Sequence, residues 1–217
     1  MENGYLALFP LLILLGLIKR IRDKRATNTL KINAEERKTP SFQLPDATDV
    51  IMRDEAKQKE HVWNELIRIH QVHNFHFGIY EAEKYIDATF TISEKETAQY
   101  RYHIFEEDLN FTVCVLFSYP TEITTDLFVL ASHFNNRLNF GKVVIDVENQ
   151  NVIFTYRNDL VYYALFKEKI HFHLKRHFHI SKDIHEAFVK CVVEREEPAV
   201  IFGELMKKLN QENNPES

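Results

Sequence analysis

Glycine is scarce in this chain. There are five in 217 residues, dispersed and without a cluster. That excludes the glycine-rich loops that cradle phosphates or dinucleotides, because such loops need closely spaced residues without a Cβ. Cysteine is rarer still. Cys114 and Cys191 lie far apart on faces expected to be buried, which fits two apolar thiols in a reducing compartment, with a disulfide between them as the alternative. The formal net charge of −5 leaves no dominant basic face, so no nucleic-acid partner is expected. A nucleophile needs a partner base in a defined setting, and Ser118 and Ser132 sit in no nucleophile elbow. No residue is therefore assigned a catalytic role and no cofactor is expected.

What is present begins with an uncharged run, YLALFPLLILLGLI, from Tyr5 to Ile18. Extended to Ile21 it makes a helix of about 26 Å, short but workable against a hydrocarbon core of about 30 Å. Lys19, Arg20, Arg22, Lys24 and Arg25 follow the run, whereas Glu2 is the single charged side chain before it. A secretory signal has the opposite order. Residues 5–21 read as a retained single-pass anchor, with the remainder of the chain in the cytoplasm and the protein in the inner, cytoplasmic membrane. Residues 22–49, polar with Pro40 and Pro45, read as a flexible tether whose basic cluster meets anionic lipid.

The clearest folded signal is Phe111 to Val147, a strand, a helix and a strand. Phe111, Val113, Val115 and Phe117 alternate with Thr112, Cys114 and Leu116. Ile123, Leu127, Leu130, Ala131, Phe134 and Leu138 recur at helical spacing after Pro120, and this helix is expected to cover the strand's apolar face. Thr121 or Thr124 suits the cap, Glu122 and Asp126 the first turn, and Asn139 with Gly141 the stop. Around this unit, residues 50–88 form a helical lead-in. Within it, 79–87 is a short helix or the approach to a strand. Strands are expected at 89–93, 100–105, 143–147 and 152–156, the last two joined by ENQN. Ser181 caps a last helix that Pro198 kinks or restarts, and 210–217 is a frayed tail. The order is helix, three strands, helix, two strands, helix. That is α+β, with an antiparallel sheet of about five or six strands packed by helices.

The stretch KEKIHFHLKRHFHI alternates polar Lys169, His171, His173, Lys175, His177 and His179 with apolar Ile170, Phe172, Leu174, Phe178 and Ile180, Arg176 being the exception. It reads as a half-buried strand with a basic face. On such a strand His171 and His173 would share a side and could clamp a metal ion, although Lys169, Lys175 and Arg176 place positive charge beside it. The other readings are a pH-sensitive or anion-attracting face and a plain solvated one. His70, His73 and His76 form a second group at helical spacing. Glu106, Glu107 and Asp108 read as a solvated turn.

Residues 89–209 resemble the YbjN family, whose fold is like that of the type III secretion chaperones. The strand FTVCVLFSYP, the passage FNNRLNFGKVVIDVENQNVIFTY and the closing EPAVIFGELMKKL carry the resemblance. It implies a compact, often dimeric α+β domain that binds other proteins and has no established catalytic residues. The segment 160–180 is longer and richer in histidine than the family pattern, and the anchor is an addition. The functional expectation is a membrane-tethered, cytoplasm-facing, non-catalytic module that binds a protein partner, with a homodimer as one arrangement. The alternatives are a metal-dependent protein using His171, His173, His177 and His179, and a membrane protein whose domain only self-associates.

Overall fold

The fold is taken from a computed structural model that describes residues 54–94 and 96–212, with side chains to Leu209. The chain divides into two units, Met1–Gln43 and Leu44–Ser217, and the description below concerns the second. Helix α1 runs Glu55–Val72, capped by Asp54, whose carboxylate accepts from the Lys57 amide at 3.2 Å. It stops where Asn74 turns left-handed (φ 51°), a conformation asparagine tolerates. Strands β1 (Phe77–Tyr80), β2 (Tyr85–Thr91), β3 (Thr97–Phe105) and β4 (Asp108–Phe117) follow. A 3-10 turn (Thr121–Ile123) leads into α2 (Thr124–Arg137), and then come β5 (Lys142–Asp146) and β6 (Asn151–Asp159). Three helices close the chain: α3 (Leu160–Leu165), α4 (Glu168–Val189) and, after a π turn at Lys190–Glu194, α5 (Pro198–Glu212).

The six strands make one antiparallel sheet in the order β1-β2-β3-β4-β6-β5. Period-two alternation gives it two unlike faces. Tyr100, Tyr102, Phe111, Val113, Val152 and Phe154 are buried against α1 and α4. The opposite face presents Arg101, His103, Asn110, Thr112, Thr155 and Arg157, and among the described residues the ring and hydrogen-bond contacts of the helices fall on the other side. Helix α2 lies along β5, and α5 packs outside it through Phe134 and Phe202.

The largest departure from expectation is α4. The His-rich stretch read as a strand is the first part of a 22-residue helix, about 33 Å long. No glycine or proline interrupts it, and Ile170, Leu174, Ile184 and Phe188 keep a helical period over its whole length, whereas the alternation runs seven residues, Lys169 to Lys175, before Arg176 breaks it. Phe172, apolar in the strand reading, is left 54% exposed. Helix α4, not α2, covers the centre of β4. Ser181 lies inside α4 rather than capping it, its hydroxyl donating to the Phe178 carbonyl at 2.7 Å.

Smaller corrections follow the same logic. The lead-in 50–88 is not purely helical, because β1 and the start of β2 fall in it, and β2 begins at Tyr85 rather than at 89. Four strands precede α2 rather than three, and three helices follow β6. No threonine side chain caps α2; Thr124 Oγ1 instead donates to the Thr121 carbonyl at 2.7 Å. In the ENQN turn Gln150 takes the positive φ of 53°. Helix α5 continues to Glu212, three residues past the expected end of the domain. Cys114 and Cys191 are both free. Among the described residues no helix is long and apolar enough to cross a membrane. The anchor 5–21, its flanking Lys19, Arg20, Arg22, Lys24 and Arg25, and the tether lie outside the described residues.

Candidate functional site

Helix α4 sets His173, His177, Ser181 and His185 at four-residue steps, so they form one row facing the sheet. All four are buried. A row of polar groups against an aromatic sheet face needs partners, because an unpaired buried polar group costs about 1–3 kcal/mol. The partners differ at each step.

At the start of the row, His173 Nδ1 lies 2.6 Å from the Tyr163 hydroxyl of α3 and 3.5 Å from the Tyr156 hydroxyl of β6. Phe140 stacks on Tyr156 at 3.8 Å, and Arg176 covers Phe140 while donating to Asn139 at 2.8 Å. Burial, and then the charges of Arg176 and Lys169, push His173 down to about 4. Burial drives Tyr163 well above the usual phenol range, and the neighbouring Tyr156 adds to it. Both groups are neutral near pH 7, so this corner holds a neutral hydrogen bond rather than an ion pair.

One step on, His177 is enclosed by Phe154, stacked at 4.9 Å, and by the edges of Tyr100, Tyr102 and Phe111. Neither ring nitrogen has a partner. Burial pushes its pKa down to about 3; the nearby Phe154 backbone pulls the other way without reaching hydrogen-bond geometry. Ser181 then meets the Tyr100 hydroxyl at 2.6 Å. Burial raises Tyr100 to about 12, and the Ser181 contact opposes that shift.

The row ends at His185. Its Nδ1 is 2.6 Å from the Val115 carbonyl and its Nε2 is 3.0 Å from the Glu96 carboxylate. The pairing of β4 with β6 shifts register between Cys114 and Leu116, which leaves Val115 out of the ladder, and His185 takes up the freed carbonyl. The ring thus bridges the β4 backbone and the Glu96 side chain beyond the β2–β3 turn. Beside this clamp, β3 and β4 part company beyond the Tyr100–Val113 pair, opening a cleft of about 260 Å³. A wider groove of about 1210 Å³ lies between the β2–β3 turn, α4 and α5. It is lined by charges of both signs, among them Glu94, Glu96, Lys182, Asp183 and Lys208.

The histidines singled out in the sequence therefore do not converge. On a helix, residues two apart point to opposite sides. His173 faces the sheet, whereas His171 lies 4.4 Å, ring to ring, from His73 at the end of α1. His179 lines the wide groove. The shared face that a metal clamp at His171 and His173 requires is absent, and no group of three His, Cys, Asp or Glu able to hold a metal ion is found among the described residues. His70, His73 and His76 separate as well. His70 is buried in α1 with its Nδ1 2.8 Å from the Leu66 carbonyl, His73 is the C-cap, and His76 lies past the Asn74 turn. Glu106, Glu107 and Asp108 form the exposed β3–β4 turn region, beside Glu55, Lys59 and Asp159.

Sequence reasoning missed Tyr100, Tyr156, Tyr163, Ser181, His185 and Glu96. The four-residue step from His173 through Ser181 to His185 was the available signal. No family model, curated protein or solved structure matches the chain.

Proposed function

We propose that this chain is a non-catalytic, YbjN-like protein-binding module, held at the cytoplasmic face of the inner membrane by residues 5–21. The observation that carries the reading is the division of labour between the two sheet faces. Apart from His177, the polar groups of the α4 row are spent on joining that helix to its neighbours: His173 on Tyr163 of α3, Ser181 on Tyr100 of β3, His185 on Val115 of β4 and on Glu96. The outer face carries an ordered polar and aromatic surface instead. Arg101 forks onto Asp87 with two contacts of 2.8 Å, covers the Tyr85 ring at 4.4 Å, and Tyr85 stacks on Tyr80 at 4.3 Å. Flat, pre-organised surfaces of this kind suit a protein partner, since little side-chain entropy is lost on docking. A tether of the length of residues 22–49 would raise the local concentration of a membrane-bound partner to the mM range.

The test is site-specific photocrosslinking in the full anchored chain. A photoreactive residue replacing Thr112, on the outer face, should capture a discrete partner, and Arg101→Glu in the same chain should abolish that capture. The same group at Val129, exposed on α2, should not give that product. Equal capture from Val129, or a product indifferent to Arg101→Glu, sinks the outer-face reading.

A further inference from the structure

The two edges of the sheet are finished differently. At β5 the outward backbone groups of Val143 are occupied: the Asn135 side chain of α2 accepts from the Val143 amide at 2.7 Å and donates to the Val143 carbonyl at 2.9 Å. A side-chain amide thus stands where a neighbouring strand would pair. At β1 nothing comparable is found among the described residues. The Thr89 amide donates to the His76 carbonyl at 3.1 Å, continuing the β1–β2 register of Phe77 with Ala88. Hydrogen-bonded pairs alternate along an antiparallel ladder, so Gly78 and Tyr80 bond inward to β2 while Phe77 and Ile79 turn their N–H and C=O groups away from the sheet. Strand β1 has no proline, lysine or bulge; of the usual protections of an open edge it has only its shortness, four residues. Ile79 is 43% exposed, Tyr80 44% and, at the adjoining end of α1, Val72 65%.

We propose that β1 is a docking edge for a second copy of this chain, joined antiparallel about a two-fold axis at Gly78. That register is self-complementary. Phe77 falls opposite Ile79 of the second copy and Ile79 opposite its Phe77, so the outward groups of both residues are met by about four backbone hydrogen bonds. The two side chains lie on the same face of the sheet and supply an apolar contact across the axis. The ends of this edge are polar: Glu83 in the turn after β1, and His73 and His76 before it, are exposed and offer carboxylate acceptors and ring N–H donors. Shifted registers bring Phe77 or Ile79 against its own copy and lose one of these bonded pairs. The inference is independent of the outer-face reading, because β1 backbone edges and outer-face side chains are different surfaces.

The glycine supplies a direct test. A Cβ at Gly78 would meet Tyr80 at no closer than 3.5 Å, an ordinary contact, so Gly78→Cys fits the fold. At the axis the two residues form a non-hydrogen-bonded pair with Cα atoms about 4.5 Å apart, within disulfide reach. Mild oxidation of the full chain in detergent should convert Gly78→Cys to a reductant-sensitive dimer, while Ser132→Cys on α2 under the same conditions should not. Ile79→Pro removes an N–H that faces away from β2, so it should leave the circular dichroism unchanged and weaken self-association in sedimentation at least tenfold. A chain that sediments as a monomer at every concentration reached overturns the proposal. So does a dimer that resists both Ile79→Pro and Gly78→Cys cross-linking, since that dimer uses another surface. Neither outcome bears on photocrosslinking at Thr112.

Discussion

Acidification from pH 8 to pH 5 should strip stability from this fold through its enclosed imidazoles. His177 has a folded pKa of about 3 against an ordinary value of 6.5, and burial is the cause. The unfolded chain therefore binds a proton that the folded chain refuses. The stabilising contribution is complete above pH 6.5 and is lost progressively as pH falls from 6.5 toward 3. At pH 5 the unfolded imidazole is about 1.5 pH units below its pKa, and the folded one is still neutral, so the loss is about 2 kcal/mol. His173, lowered to about 4 by burial and by Arg176 and Lys169, acts in the same direction; solvent screening at this shallower position discounts its share to roughly 1 kcal/mol. His70, lowered by burial, adds to the trend. A loss of about 3 kcal/mol is a large part of the 5–15 kcal/mol typical of a domain. Urea titration of the unit Leu44–Ser217 at pH 8 and pH 5 measures it. His177→Phe, which keeps the stack on Phe154, should cut the pH-dependent loss by about 2 kcal/mol. A loss under about 1 kcal/mol, or one unchanged by His177→Phe, would refute the reasoning.

Three further outcomes are expected. Gly141→Ala should lower stability by about 2 kcal/mol or more in chemical denaturation, because Gly141 has φ 78° and a Cβ there would fall 2.6 Å from the Thr155 carbonyl. Asn135→Ala should cost about 1–3 kcal/mol and increase light scattering on mild heating, since it strips two hydrogen bonds from β5 and bares that edge. Tyr163→Phe should cost about 1–2 kcal/mol in the same denaturation assay, as His173 Nδ1 loses its 2.6 Å neighbour.

The sheet was readable wherever one face is dry. Phe111, Val113 and Val115 on β4 and Val152 and Phe154 on β6 alternate because their neighbours face the other way, and those strands lie where the alternation puts them. Strand β1 escaped notice because four residues, one of them glycine, carry too little pattern. The α4 error has a different origin. Between Lys169 and Lys175 a two-residue and a four-residue period both hold, and only the continuation through Ser181, Ile184 and Phe188 separates them. The polar row was hidden for the same reason: His171 and His173 look equivalent as a strand, and on a helix one meets His73 while the other meets Tyr163. Glu96 and Val115 could not be joined to His185 from sequence, since the link depends on a register shift in β4 and a chain separation of 70 residues.

The amide of Asn135 has a consequence for how large an assembly can grow. A sheet open at both rims can add chains without limit, as fibres do. With Val143 of the β5 rim held by its own helix, the two-fold union proposed at the far rim would leave no equally open edge among the described residues, and accretion would end at a closed pair.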